Sequence, residues 1–264
     1  MSEWEGFLLG LLQGLTEFLP VSSSGHIELL RALLGIDTAD NLAVAVAVHA
    51  ATALSILTVF WRESWAIVRD TVTMRRESPF FRWGWLIILS MIPVGVVGLL
   101  WEDEIGMLFE GRTAWVGAML VMTGILLWIT SRIQPREHPL TIMGALWMGI
   151  AQTVAVIPGI SRSGATISAG ILGGYRKDEV AQFAFLMVLP PILGATLIKG
   201  IDLREHSAVW SSIKGPLLIA FATAYVSGVW ACRWMIALVR RSKLIYFAYY
   251  CMAIGIVAII STWL

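Results

Sequence analysis

The sequence predicts an all-α polytopic membrane protein built as an inverted repeat, in which each half is a re-entrant helix hairpin followed by three transmembrane helices. Three observations lead to this fold class: six long uncharged runs, two shorter apolar stretches that are each interrupted by a polar break, and a likeness between those two stretches. We therefore expect six full spans and two re-entrant hairpins in a single membrane domain, residues 1–264.

The six uncharged runs have the length and composition of membrane spans. Hydrophobic residues make up 58% of the 264 residues and charged residues 14%, whereas a soluble domain has about 25% charged residues. Each run approaches the roughly 20 apolar residues that cross a bilayer, and several are edged by tryptophan, as is typical of lipid–water boundaries. The runs are 42–61, 83–101, 113–131, 180–198, 215–232 and 244–264.

Two further apolar stretches are too short and too broken to be simple spans. In residues 6–34, an uncharged run meets Glu17, then Pro20 and a serine-rich turn, and a second short apolar run follows. Residues 141–175 repeat this plan around Pro158 and another serine-rich turn. Irregular backbone at membrane depth is tolerated only where it is buried in protein or lines a cavity. Each stretch is therefore predicted to be a re-entrant hairpin.

The two hairpins resemble each other at a fixed spacing. Gly10 matches Gly149, Gln13 matches Gln152, and the sequence Ser-x-Ser-Gly recurs at 22–25 and 161–164. We divide the chain into a first repeat of about 1–132 and a second of about 139–264. A hairpin adds no crossing and three spans are an odd number, so the second repeat starts on the opposite side of the membrane. Such inverted repeats place a site near the midplane where the halves meet.

The distribution of basic residues supports this topology and orients it. With both hairpins re-entrant, one side of the membrane receives most of the basic residues. The other side receives few of them and also carries the acidic run Glu102-Asp103-Glu104. Because basic loops face the cytoplasm, both termini are expected on the periplasmic or exterior side of the membrane. No basic domain is present to bind nucleic acid. The basic side receives Arg62, Arg69, Arg75, Arg76, Arg82, Arg132, Arg136, Arg176, Lys177, Arg240, Arg241 and Lys243, and the other side Arg31, Arg112, Lys199, Arg204 and Lys214.

The first hairpin contains a carboxylate, several hydroxyls and an imidazole. Ionisable residues at membrane depth mark functional sites by default. Glu17 is a candidate general base or metal ligand, and hydroxyls with free backbone N–H groups at a helix start bind anions. One of Ser22, Ser23 and Ser24 is a candidate nucleophile activated by Glu17 or His26, or His26 itself attacks phosphorus. The sequence does not choose among these. Glu28 and His49 are weaker candidates.

The second hairpin places one arginine between two serines. Arg162 lies at the tip of an apolar hairpin, where an anion is needed to neutralise it, and its guanidinium matches phosphate in a bidentate way. The alternative is a purely internal ion pair between Arg162 and Glu17. Together the two hairpins predict an intramembrane site for a phosphorylated lipid.

Two motifs in these hairpins resemble a known family. Residues 13–26, QGLTEFLPVSSSGH, are similar to the first signature of the bacterial undecaprenyl-diphosphate phosphatases, also called bacitracin-resistance proteins. Residues 158–166, PGISRSGAT, resemble their second signature. The resemblance implies hydrolysis of undecaprenyl diphosphate to undecaprenyl phosphate and phosphate. This reaction recycles the lipid carrier for peptidoglycan synthesis and cell-wall biogenesis, supports cell shape and confers antibiotic resistance.

The resemblance also implies roles for individual residues. Glu17, Ser23, His26 and Arg162 would be catalytic, and a divalent cation, Mg²⁺ or Ca²⁺, would assist at Glu17 with Gln13. Because position 13 is a glutamine, only one carboxylate is present in that motif. The expected partners are the polyprenyl diphosphate and membrane lipids, with a homodimer as a further expectation. The alternative function is a transporter or flippase of polyprenyl phosphate. By the same resemblance to the phosphatase family, the substrate-binding residues would be Gln13, Ser22, Ser24, Gly25, Ser161, Ser163, Gly164 and Thr166.

Overall fold

The computed structural model describes residues 1–34, 41–101, 113–134, 137–204 and 207–263. These residues form helices joined by turns, with one isolated β-bridge between His138 and Tyr175. The acidic run 102–104, Arg112 and Arg136 lie outside the described residues, as do the side chains of Arg31 and Arg204. The helices are α1 Glu3–Phe18, α2 Ser23–Leu34, α3 Asn41–Val59, α4 Trp61–Val72, α5 Pro79–Leu100, α6 Thr113–Ser131, α7 Ile142–Val154, α8 Arg162–Leu172, α9 Lys177–Leu186, α10 Leu189–Arg204, α11 Ser207–Arg240 and α12 Ile245–Ser261.

Four or five helical segments are long and apolar enough to cross a membrane. Four are single candidate spans within the described residues: Pro79–Leu100, Thr113–Ser131, Lys177–Ile201 and Lys214–Arg240. A fifth exists if α3 and α4 count as one span, although they meet at an angle of 87°. The sixth predicted span corresponds to α12, which has 17 residues. The all-helical, multi-pass architecture is confirmed.

The sharp bend after α3 turns an amphipathic helix away from the span. Trp61, Trp65 and Val68 are exposed on one face of α4, whereas Ile67 and Asp70 on the other face are buried. Asp70 accepts hydrogen bonds from Arg69 Nε at 2.7 Å and Ser78 Oγ at 2.6 Å, which join α4 to the turn before α5. An exposed apolar face flanked by arginines is typical of a helix that lies along the membrane surface.

Both predicted hairpins are pairs of short helices separated by a non-helical turn. Helix α1 has 16 residues and α7 has 13, which at 1.5 Å per residue gives about 24 Å and about 20 Å, less than the thickness of a bilayer's hydrocarbon core. Residues 19–22 separate α1 from α2, and residues 155–161 separate α7 from α8. The positions of the two breaks are therefore as predicted.

Each hairpin packs closely against a long helix of the other half of the chain. A Cβ added at Gly10 of α1 would collide with Ala220 and Thr223 of α11. A Cβ added at Gly149 of α7 would collide with the backbone of Ser90 in α5, whose carbonyl carbon lies 3.0 Å away. The matching glycines of the two repeats thus serve the same purpose, because each permits backbone-to-backbone contact with the opposite half.

Adding one methyl group at Gly149 is expected to destabilise the protein. The Cβ of Gly149→Ala would meet main-chain atoms of Ser90, which cannot rotate away, so we expect a loss of about 1–3 kcal/mol in the free energy of unfolding. Gly95 in α5 is the matched control, because an added Cβ there meets no atom within 4 Å. Thermal unfolding in detergent should therefore show a lower Tm for Gly149→Ala and no loss for Gly95→Ala. Equal effects would refute the close-packing interpretation.

Several basic and polar residues gather at one end of the helix assembly. Lys177 Nζ donates to Ser242 Oγ at 2.6 Å, and the backbone N–H of Leu140 donates to Glu179 Oε2 at 2.7 Å. Arg82 also donates to the Leu140 carbonyl. The α4–α5, α6–α7, α8–α9 and α11–α12 connections all lie among the predicted basic loops, and these contacts tie three of them together.

Candidate functional site

The first hairpin turns at a serine with a left-handed backbone. Ser22 has φ of 67°, a conformation that costs free energy in a residue other than glycine and occurs at functional sites. Its Oγ accepts a hydrogen bond from the Gly25 N–H at 3.3 Å, and its carbonyl accepts from the His26 N–H at 3.1 Å. Ser22 thereby caps helix α2, and the hydroxyls of Ser23 and Ser24 lie in the first turn of that helix.

The second hairpin repeats this capping geometry. Ser161 Oγ accepts from the Gly164 N–H at 3.1 Å and lies 3.3 Å from Ser163 Oγ. In the first hairpin, Ser22 Oγ and Ser24 Oγ are also 3.3 Å apart. Thr123 of α6 supports the second turn, because its Oγ1 accepts from the Ser161 N–H at 3.2 Å. The two serine-rich motifs therefore make the same capping contacts and present two helix N-termini, although Ser161 has an extended backbone with φ of −74° where Ser22 is left-handed.

The tips of the two hairpins touch. A Cβ added at Gly25 would lie 3.4 Å from Gly159 Cα, and one added at Gly164 would lie 3.3 Å from Pro20 Cβ. Ser163 Oγ also donates to the Leu19 carbonyl at 3.1 Å. The predicted contact between the turns at 22–26 and 161–166 is thus confirmed.

Glu17 is the centre of the polar contacts between the hairpins. It sits at the end of α1, with 5% of its side chain exposed. Ser23 Oγ donates to Glu17 Oε2 at 2.6 Å, and Gln13 Nε2 donates to the same oxygen at 3.0 Å. Arg162 Nη2 donates to Glu17 Oε1 at 2.6 Å. A hydroxyl, a carboxylate and a guanidinium from the two hairpins therefore form one connected group.

The ion pair between Arg162 and Glu17 leaves N–H donors of the arginine free. One N–H of the guanidinium donates to Glu17, and no other side-chain hydrogen bond of Arg162 occurs within the described ranges. An arginine has five N–H donors, the Arg162 side chain is 30% exposed, and it lines the cavity described below. The internal ion pair considered from the sequence is present, and donors remain to bind an anion.

His26 forms its hydrogen bonds outside this group. Its Nδ1 lies 2.9 Å from the Ser22 carbonyl and its Nε2 lies 2.8 Å from the Tyr250 hydroxyl. Because a carbonyl can only accept, Nδ1 donates, and Nε2 of the neutral ring then accepts from Tyr250. The two rings also stack, with centroids 5.5 Å apart. Both ring nitrogens are thus engaged in holding the strained turn, and His26 is not among the residues that line the cavity.

Removing the Tyr250 hydroxyl tests whether the His26–Tyr250 pair is structural. Tyr250→Phe leaves His26 Nε2 without its partner, so we expect a loss of about 1 kcal/mol in stability and a change in kcat of less than about threefold. Thermal unfolding and phosphate release would be measured side by side. A fall in kcat of a hundredfold or more at unchanged stability would instead place His26 in the chemistry.

A cavity of about 550 Å³ opens beside the group. Its polar lining includes Gln13, Glu17, Ser22, Ser23, Ser24, Ser161 and Arg162, and its apolar lining includes Leu9, Ile27, Val44, Val48, Val94, Val156, Ile160 and Pro191. Seven predicted site residues therefore share one space with an apolar wall. Ser163 and Thr166 instead border a cavity of about 20 Å³ behind Arg162, and Thr166 Oγ1 donates to the Arg162 carbonyl at 2.9 Å. Gly25 and Gly164 contribute close packing at the tips.

Five further polar residues line the large cavity: Thr16, Gln152, His49, Lys199 and Glu28. Gln152 was noticed only as part of the repeat, because an uncharged amide in an apolar run gives no electrostatic signal. His49 Nδ1 lies 2.8 Å from the Ala45 carbonyl and therefore donates to it, which leaves Nε2 without a partner among the described residues. Lys199 lies just beyond the predicted span 180–198, whereas the structure continues the helix α10 past it.

The residues around Glu17 do not by themselves form a cation site. Both carboxylate oxygens already accept hydrogen bonds, and the described residues contain no group of three or more His, Cys, Asp or Glu suited to a metal. Gln13 Oε1 is buried without a hydrogen-bond partner in the described part of the chain. A Mg²⁺ ion here would be held by Gln13 Oε1 together with the remaining lone pairs of the Glu17 carboxylate, and substrate phosphates and water would have to supply its other ligands.

Comparison with known proteins gives a consistent result along the whole chain. Residues 6–257 match the family described as bacitracin resistance protein BacA. A protein of Bacteroides fragilis named undecaprenyl-diphosphatase is 44% identical over 265 residues, covering 99% of each chain. Proteins of the same name from Parabacteroides distasonis and Salinibacter ruber are 42% and 43% identical, covering 100% and 97% of each chain, respectively.

Proposed function

The chain belongs to the bacitracin resistance protein BacA family, and we propose that it hydrolyses undecaprenyl diphosphate in the cavity between its two hairpins. The products are undecaprenyl phosphate and inorganic phosphate. The observation that carries this assignment is the 2.6 Å hydrogen bond from Ser23 to Glu17 beside the partly free guanidinium of Arg162. As a membrane hydrolase of this family, the enzyme recycles the lipid carrier for cell-wall synthesis, and its abundance confers resistance to bacitracin.

Ser23 is the nucleophile that the geometry supports. Its Oγ attacks the terminal phosphorus while Glu17 takes the hydroxyl proton. The new bond joins Oγ to phosphorus, and the bond from phosphorus to the bridging oxygen breaks, so that undecaprenyl phosphate leaves with the electron pair. Water then attacks the phosphoserine and releases phosphate, and the Ser23 oxygen recovers the proton from Glu17. His26, whose ring nitrogens are both engaged, positions the turn.

Arg162 and the two helix N-termini bind the charge of the transferring phosphoryl group. Preorganised donors of this kind stabilise a transition state strongly in a site with little water. When Arg162 turns its donors to the phosphate, its hold on Glu17 weakens, and the carboxylate becomes a better proton acceptor. The apolar residues of the cavity wall, such as Val44, Val48 and Ile27, suit the first isoprene units of the tail.

Phosphate release in detergent separates this function from the transporter alternative. Detergent micelles have no leaflets between which a lipid could be moved. A protein that is only a flippase would therefore release no phosphate from a short-chain prenyl diphosphate in micelles. We expect multiple turnovers of phosphate release. If no release occurs from a protein that still binds the lipid, the hydrolase assignment is wrong and the transporter alternative gains support.

The inverted repeat is part of the same proposal. The contact between Gly25 and Gly159 and that between Gly164 and Pro20 are equivalent under the repeat spacing, because 25 corresponds to 164 and 20 to 159. Likewise α1 packs on α11 while α7 packs on α5. These reciprocal contacts support six spans in two inverted halves. From the distribution of basic residues, the basic loops are proposed to face the cytoplasm, and the termini and the cavity to open outside.

Two predictions concern ligands and partners that the described residues leave open. We propose that a divalent cation arrives with the diphosphate and is bound by Glu17 together with Gln13 Oε1. The homodimer stays a prediction from the sequence. Lipid contacts are supported by exposed tryptophans on the outer surface, among them Trp85, Trp147 and Trp230.

A further inference from the structure

A buried amide on the second hairpin lines the cavity with neither of its polar atoms bonded. Gln152 lies on α7 and is 2% exposed, and both Nε2 and Oε1 lack a hydrogen-bond partner among the residues that the structure describes. Leaving a buried polar group unpaired is costly, so a ligand that fills the cavity is expected to bond to it.

The matching residue of the first hairpin shows what Gln152 lacks. Gln13 occupies the equivalent place on α1, and its Nε2 donates to the Glu17 carboxylate. The position equivalent to Glu17 in the second hairpin is Val156, which also lines the cavity and accepts nothing. The first hairpin therefore provides an anion for its glutamine, whereas the second hairpin does not.

The same comparison shows how two similar turns have different functions in the proposed site. Ser23 of the first turn corresponds to Arg162 of the second, so the nucleophile and the anion-binding arginine occupy equivalent places. The second hairpin contributes a cation, Arg162, and no carboxylate to the lining of the cavity. An anion supplied by the ligand is therefore the expected acceptor for the free amide N–H₂ group of Gln152.

We propose that Gln152 is a substrate-binding residue that donates its amide N–H groups to a phosphate oxygen of the lipid diphosphate. The inference deepens the proposed function, on which it rests, and adds a residue to the site. The substrate supplies to Gln152 the negative oxygen that Glu17 supplies to Gln13. The amide oxygen then faces the cavity, where water that accompanies the phosphate can donate to it.

Replacing Gln152 by methionine tests the inference without a large change of shape. Gln152→Met removes both hydrogen-bonding atoms, so the Kd for a non-hydrolysable prenyl methylenediphosphonate should rise about 10- to 100-fold, the range for one lost hydrogen bond to a charged group. Because no bonded partner is lost in the free protein, the ligand-free Tm should stay level or rise. Gln152→Glu should bind more weakly still, because its carboxylate repels phosphate.

Ser168 provides the matched control. Its hydroxyl is also buried without a partner among the described residues, and it lies on α8 outside both cavities. Ser168→Ala should leave diphosphonate affinity unchanged. The proposal is overturned if Gln152→Met binds the diphosphonate as well as the wild type does, or if the ligand-free Tm falls by several degrees, as expected of a structural residue. A wild-type protein that binds the diphosphonate and releases no phosphate from the diphosphate would refute the proposed function alone.

Discussion

Arg162→Ala is expected to reduce kcat for phosphate release by about a thousandfold or more. The guanidinium lies on the cavity wall and has donors that Glu17 does not use. In the proposed mechanism these donors stabilise the charge that builds on the transferring phosphoryl group. Arginines with this role in phosphoryl transfer contribute about 10³–10⁵ in rate. The measurement is steady-state phosphate release from a prenyl diphosphate by purified protein in detergent.

The loss of stability that accompanies this substitution is separable from the loss of catalysis. Removing Arg162 leaves the buried Glu17 carboxylate without its cation, which by itself destabilises the fold. Arg162→Lys keeps a positive charge near Glu17 and lacks the planar fork, so it should retain more stability while kcat remains low. Arg132, an exposed residue immediately after α6, is the control, and Arg132→Ala should be as active as wild type. Near-normal turnover by a folded Arg162→Ala protein would contradict the assignment.

Ser23→Ala is expected to abolish turnover to a similar extent. The hydroxyl is 2.6 Å from Glu17 Oε2 and lines the cavity, and no other described hydroxyl donates to that carboxylate. Ser24→Ala is the matched control, because Ser24 lines the same cavity and its Oγ contacts Ser22 Oγ instead of a base. We expect Ser24→Ala to lose no more than about tenfold, the order of one neutral hydrogen bond.

The chemistry of the trapped intermediate distinguishes Ser23 from His26. Brief incubation with a terminally labelled diphosphate followed by acid quenching should leave acid-stable label on the peptide that contains Ser23. Phosphohistidine is lost in acid and survives alkali. Label that is lost in acid but survives alkali, together with retained phosphate release by Ser23→Ala, would identify His26 as the nucleophile.

The sequence predicted the hairpins well because local signals mark them. Pro20 and Gly159 interrupt apolar runs that are already too short to span, and the serines that follow cap the next helix. The bend after α3 was not predicted, since Phe60 and Trp61 carry no turn signal. That bend depends on how α4 packs against α5, where Gly84 of α5 lies against Thr71 of α4. A contact between two helices leaves no signal in the local sequence pattern.

The site was predictable where a charge appears in an apolar setting. Glu17 and Arg162 stood out for that reason, and the structure brings them together at 2.6 Å. The orientation of His26 was not predictable, because its partner Tyr250 is far along the chain and aromatic residues near the ends of spans usually anchor to lipid. Gln152 was overlooked as a ligand contact, since its importance lies in the absence of a partner, which only the fold reveals.

The most direct measurement is an experimental structure of the protein with orthovanadate, which mimics a phosphoryl group in transfer. We expect the vanadium to be bonded to Ser23 Oγ, with its oxygens contacted by the Arg162 guanidinium, so that residues of both hairpins hold one anion. Vanadate bound to one hairpin alone, or at a site away from the cavity between the tips, would contradict the shared phosphate site.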